Sequence, residues 1–200
     1  ESGRARRRLQ GRLGIHSEDR PLVISGRELV VTEKNGEHMP MRVGVDGIAL
    51  DHDGEWLYYG PLTGYSIWRL RTTDLLDEKL DDAALEQRAE RYADRPNSGG
   101  MWMDATSNLY LTEITGGSIG CIPAADRQYS RILTRDDLYW PDGIMPGPDD
   151  ALYVVVSQLP HAPPLNGGEN RSQPPFIVVR FWPANRDGDG DRDDPEARGC

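Results

Sequence analysis

Cysteine, clustered positive charge, helical periodicity and long apolar runs are all scarce in this 200-residue chain. Two cysteines, Cys121 in a strand-like run and Cys200 at the end, are no disulfide framework, so both are expected as free thiols. No apolar run approaches the length that crosses a bilayer, so no membrane span is expected. A formal charge of −10 excludes a nucleic-acid groove, which needs clustered cations. The one basic cluster, "RARRRLQGR" at 4–12, precedes β-like sequence and reads as a solvated strand edge. Amphipathic periods of 3.6 are mostly missing, which excludes a helical bundle or solenoid. The chain opens on Glu1 rather than Met and carries no signal peptide, and it reads as a processed or truncated product.

Glycine (22) and proline (15) are plentiful, as in a turn-rich protein built of strands. One word recurs three times: "DGIALDHDGEWLYYGPLTGYSIWRL" from Asp46, "GGMWMDATSNLYLTEITGGSIGCI" from Gly99 and "DGIMPGPDDALYVVVSQLP" from Asp142. Each copy has a short apolar strand, a tight turn and a second apolar strand. The turns, Asp53-Gly54, Ser107-Asn108 and Asp149-Asp150, hold residues that tolerate positive φ or cap their own backbone. A period of roughly 40–50 residues with about four strands per unit is the signature of a β-propeller blade. The fourth strands are expected at "SIWRL", "SRILT" and "FIVVRFW". Upstream, "RRRLQGR", "PLVISG" and "RELVVTE" read as strands of a less regular unit.

A single surface helix is expected in "LDDAALEQRAERY", capped by Asp81, with Leu80 and Leu85 as a hydrophobic staple. It accounts for the longer first interval. Residues 161–175, "HAPPLNGGENRSQPP", read as a long loop inserted between two strands of the last unit. The expected organisation is therefore a partial propeller over 1–183, with units starting near 45, 98 and 141, followed by an acidic disordered tail over 184–200. Half a propeller exposes apolar faces and strand edges, so self-association through its blade edges is expected.

The words "VGVDGIALDHDGEWLYYGPLTG", "LYLTEITGGSIGCI", "LYWPDGIMPGPDDALYVVVSQL" and "PPLNGGENRSQPPFIVVRF" cover most of 40–182 and resemble the major royal jelly protein/Yellow family, particularly its bacterial, dopachrome-tautomerase-related members. The resemblance implies an all-β, six-bladed propeller about twice this length, of which the chain would be the C-terminal three to four blades. It further implies secretion (an extracellular or periplasmic address) and a small molecule, such as an aromatic amine, in the central channel. A more distant resemblance joins the regucalcin/gluconolactonase group, which hydrolyses sugar lactones with an axial divalent metal. On that likeness Asp142, in "PDG", would match a ligand aspartate, and Asp46 a second ligand position. The functions implied are thus small-molecule binding, metal-dependent lactone hydrolysis or dopachrome-type tautomerisation, and a non-catalytic interaction module is the remaining alternative.

On chemistry alone, Asp46 and Asp142 each precede the glycine that opens an inner strand, so both would point at the axis. Converging oxygen ligands suit Ca²⁺ or Zn²⁺. The same residue pair also occurs as simple turn capping. The middle copy carries Gly99 in place of the acid, with Asn97 and Ser98 close by. Trp140, Gln158 and His161 are candidates to line the same mouth, Trp140 by stacking on an amine. His161 or Asp142 would be the base of a tautomerase. Two further matches are discounted. "GGSIG" lacks the helix that a nucleophile elbow needs, and "NRDGDGDRDDPE" has EF-hand spacing without flanking helices.

Overall fold

The structure is a computed structural model describing residues 3, 5–33, 35–148 and 150–183. The EF-hand-like stretch and the acidic tail lie outside the described residues. Two small hairpins come first: β1 (Val23–Ile24) pairs with β2 (Arg27–Glu28), and β3 (Val30–Thr32) pairs with β4 (His38–Pro40). Three antiparallel meanders follow. The first orders β5 (Val45–Leu50), β6 (Trp56–Pro61), β7 (Ser66–Arg71) and β8 (Glu90–Asp94). Between β7 and β8 come α1 (Thr72–Leu76) and α2 (Asp82–Arg88). The second sheet orders β9 (Ser98–Met103), β10 (Leu109–Glu113), β11 (Ser118–Ile122) and β12 (Ser130–Thr134). The third comprises β13 (Pro141–Pro146), β14 (Leu152–Val156) and β15 (Ile177–Phe181).

The sheets stack face to face, with first strand against first strand: β5 lies against β9, and β9 against β13. Alternation along each strand builds the two interlayer cores. Ala49, Tyr58 and Ile67 of the first sheet meet Met101, Met103, Leu109 and Leu111 of the second. On the other face of the second sheet, Tyr110, Ile119 and Ile132 meet Ile144, Leu152, Val154 and Val179 of the third. Gly47 lets the layers approach closely, since a Cβ there would stand 2.7 Å from Met101 Cε and push the end of that side chain aside.

Several expectations are corrected. "SIWRL" is the third strand of its sheet, and the fourth is "ERYAD", because the helical stretch stops at Arg88, Ala89 caps it, and Glu90–Asp94 runs beside β7. "FIVVRFW" is likewise a third strand, whereas "SRILT" is a fourth as expected. Among the described residues there are two α-helices rather than one. Asp81 caps α2 by accepting the Ala84 N–H at 2.8 Å, and Leu80 and Leu85 share one apolar cluster. "RRRLQGR" forms no strand. Arg8 donates to the Asp77 and Leu80 carbonyls, and the Asp82 carboxylate accepts the Leu9 and Gln10 N–H groups, so this segment straps α2 onto Tyr59 and Leu70. Cys121 is disulfide-bonded, not a free thiol: one bridge needs no framework. Cys200 lies outside the described residues. Among the described residues, no helix is long and apolar enough to cross a membrane.

Candidate functional site

The repeated Asp/Gly word falls at the same irregularity in all three sheets. Between Val45 and Gly47, β5 advances two residues while β6 advances one. Between Ser98 and Met101, and again between Pro141 and Ile144, three steps on the first strand face two on the second. Each is a β-bulge, a feature that re-aims a side chain at the rim of a sheet. In the second sheet the bulge is held by side chains: Thr112 Oγ1 accepts the Gly100 N–H at 2.8 Å, and the Ser98 hydroxyl donates to the Gly100 carbonyl at 2.9 Å.

The bulges explain the two glycines of the middle copy. A Cβ on Gly99 would meet Asp142 Oδ1 at 3.0 Å, and one on Gly100 would meet the Asp142 carbonyl at 2.4 Å. Gly99 stands where the other copies have Asp because the Asp142 side chain occupies that space. The middle sheet is the floor on which the third sheet's carboxylate rests.

The charge of Asp46 is felt at Asp142. Burial raises the Asp142 pKa, the negative charge of Asp46 raises it further, and a hydrogen bond from the Trp140 indole opposes both. Asp46 keeps a solvent-exposed surface, yet the protein around its carboxyl still raises its pKa, with the Arg95 charge acting against that rise. Neither aspartate caps a turn. That task falls to a different pair one turn further on. Asp51 Oδ1 accepts the Trp56 N–H at 3.1 Å, and Asp104 Oδ1 accepts the Thr106 and Asn108 N–H groups, each at 2.8 Å.

The other candidates are engaged elsewhere. Trp140 has φ +64°, is 1% exposed and packs with Leu22, Leu29, Met41, Leu62, Ile114 and Leu165. It offers no face for stacking a ligand and instead braces Asp142. Asn97 is buried and donates to the Leu62 carbonyl at 3.2 Å. Gln158 exchanges two bonds with the Gln173 backbone, donating at 2.8 Å and accepting at 3.0 Å, and so ties down the 161–175 loop. His161 stacks on Tyr139 at 4.5 Å, with its Nδ1 buried and unpartnered. Ser118 of "GGSIG" donates to the Gly116 carbonyl at 2.9 Å and lies at the start of a strand, not on a strand–helix elbow.

Two groups had no signal in the sequence. Arg95 is 3% exposed and donates to the carbonyls of Pro61, Ser66, Pro96 and Ser98, so it joins the first sheet to the second behind Asp46. Burial lowers its pKa to about 10 against the pull of Glu18 and Asp46. Glu113 is buried too. It accepts two bonds from Arg131, at 2.7 and 2.6 Å, and one from the Tyr129 hydroxyl at 2.7 Å. Among the described residues, no group of three or more His, Cys, Asp or Glu side chains is placed to share a metal ion.

No protein-family model matches the chain, and no curated protein matches it. Solved structures do. A gluconolactonase from Xanthomonas campestris superposes with a TM-score of 0.50 at 16% identity, over 71% of this chain and 44% of that one. A luciferin-regenerating enzyme gives 0.50 at 15%, over 74% of this chain and 48% of that one. A calcium-binding regucalcin from Agrobacterium tumefaciens gives 0.43 at 16%, over 64% and 43%. The gluconolactonase likeness supports the more distant of the two resemblances, and no support for the Yellow family comes with it. What is shared is the β-propeller fold, and the chain spans less than half the length of each of these proteins.

Proposed function

We propose that Asp46 and Asp142 supply oxygen donors to a divalent cation, Ca²⁺ or Zn²⁺, and that the site handles a small oxygen-rich substrate of the lactone class. The observation that carries this reading is the pairing of two carboxylates at bulges. Each has its pKa raised by burial, and neither is spent on capping a turn. Like charges held together in this way favour a cation over two protons at neutral pH. The lactone class is supported by the gluconolactonase fold likeness, and metal-dependent lactone hydrolysis is therefore preferred to amine binding, which has lost its aromatic wall at Trp140. A cation bound there would polarise a lactone carbonyl and acidify a coordinated water.

The chain's own residues position the donors. Trp140 holds Asp142 from one side, Gly99 leaves room for it on the other, and Arg95 fixes the sheet junction behind Asp46. A Ca²⁺ shell of roughly six to eight oxygens needs more than two carboxylates, so water or further protein completes it.

Calorimetric titration with Ca²⁺ and Zn²⁺ tests the site. One of the two ions is expected to bind, and Asp46→Asn and Asp142→Asn are each expected to weaken binding at least about tenfold, as loss of one charged ligand from such a site does. Absence of heat from both ions would overturn the proposal. Heat from a catecholamine or indoleamine without metal would favour amine binding instead. The disulfide at Cys121 supports an oxidising address, extracellular or periplasmic, and a freely alkylated Cys121 in freshly isolated protein would count against it.

A further inference from the structure

We propose that Asn170 is the acceptor of an N-linked oligosaccharide. Asn170-Arg171-Ser172 is the single Asn-x-Ser/Thr word among the 200 residues, and neither Arg171 nor Gln173 is proline. The word lies in the 161–175 loop between β14 and β15, where residues 167–171 form one exposed run.

The structure separates this asparagine from the others described. Asn35 Nδ2 donates to the Glu37 carboxylate, Asn97 Nδ2 to the Leu62 carbonyl, Asn108 Nδ2 to the Asp104 carboxylate and Asn166 Nδ2 to the Glu169 carbonyl. Asn170 is exposed, and its bond is made through Oδ1, which accepts the Ser172 N–H at 3.1 Å. Among the described residues its Nδ2 has no partner, and Nδ2 is the atom that a glycan joins. The word is fixed on both sides. The Arg171 N–H donates to the His161 carbonyl at 2.9 Å, and the Gln173 backbone exchanges two bonds with the Gln158 side chain. A bulky polar group at Asn170 therefore stands in solvent on an ordered base. The transfer joins Nδ2 to the anomeric carbon of a polyprenyl-pyrophosphate-linked oligosaccharide, the co-reactant of a separate transferase. The carbon–oxygen bond to pyrophosphate breaks, that oxygen leaves with the bonding electrons, and the amide gives up one proton. Such transfer belongs to exported, oxidising compartments, so the proposal rests on the address that the disulfide at Cys121 supports.

The test is secretion of the full chain from a eukaryotic cell line behind an added signal sequence, followed by peptide-N-glycosidase in heavy-oxygen water. Mass spectrometry is expected to find a labelled aspartate at position 170 and loss of the glycan mass from the intact chain. Ser172→Ala is expected to abolish the modification with unchanged circular dichroism, and Ser172→Thr to retain it. Asn170→Gln repeats the reading should Ser172→Ala fail to fold. Secreted wild-type chain with Asn170 unmodified would overturn the proposal. So would a glycan that survives Ser172→Ala. The added signal sequence supplies the address, so these failures count against the acceptor alone. The address itself is read separately, by alkylation of Cys121 in protein from its own source.

Discussion

At the scale of single residues, acids of one type divide by role. Asp51 and Asp104 bond their own turns, while Asp46 and Asp142 are held at bulges, with raised pKa values and no turn to cap. A carboxyl whose folded pKa lies above its unfolded value of 3.8 binds its proton more tightly when folded. Between those two values stability falls as pH rises, and above the folded value the full penalty persists. Asp142→Asn is therefore expected to melt higher than wild type at neutral pH while losing cation affinity. The gain should vanish below the unfolded pKa, and melting curves taken across pH check both points. Gly100→Ala is expected to act the opposite way, because its Cβ would stand 2.4 Å from the Asp142 carbonyl. Overpacking of this kind costs about 1–3 kcal/mol, measurable by denaturant titration, and should also weaken cation binding by displacing Asp142.

At the scale of elements, the repeat was legible because turns and alternation are local. "SNLYLTE" and "DALYVVV" announce strands with residues that touch each other. The bulges were half legible: the Asp/Gly word marked where they sit but not why the middle copy lacks the acid. That reason, an Asp142 oxygen lying over Gly99, comes from another sheet. The helix cap at Asp81 could be read directly, whereas "ERYAD" could not, because its partner β7 is separated from it by two helices. Asp104 gives the element-scale prediction. Its carboxylate takes the Thr106 and Asn108 N–H groups, the Thr106 hydroxyl and the Tyr110 hydroxyl at 3.3 Å. Asp104→Ala is expected to cost roughly 1–3 kcal/mol in chemical denaturation, with at least one buried donor left unpaired. Asp51→Ala should cost less, because only one bond to its side chain is formed there.

At the scale of the whole molecule, the order of the three sheets sets what the site can be. Asp46 stands on the first sheet and Asp142 on the third, with the second sheet between them, so the distance separating the two carboxylates depends on how the sheets are joined. Arg95 is the polar link in the first of those junctions. Its guanidinium bonds the Pro61 and Ser66 carbonyls on one side and those of Pro96 and Ser98 on the other. Nothing local signals this role, since a lone arginine beside proline reads as a surface residue until the fold closes over it. Lysine can place one charge there but cannot match a planar fork of five donors. Arg95→Lys is expected to leave several carbonyls unpaired and cost on the order of 3 kcal/mol, with Arg95→Ala costing more. The charge itself has a separate readout, because Arg95 opposes the rise in the Asp46 pKa. Arg95→Ala should raise that pKa further, whereas Arg95→Lys should hold it near the wild-type value, as followed by NMR titration of the Asp46 carboxyl. If both variants left the Asp46 titration unchanged, Arg95 would be a strut between sheets with no electrostatic hold on the site.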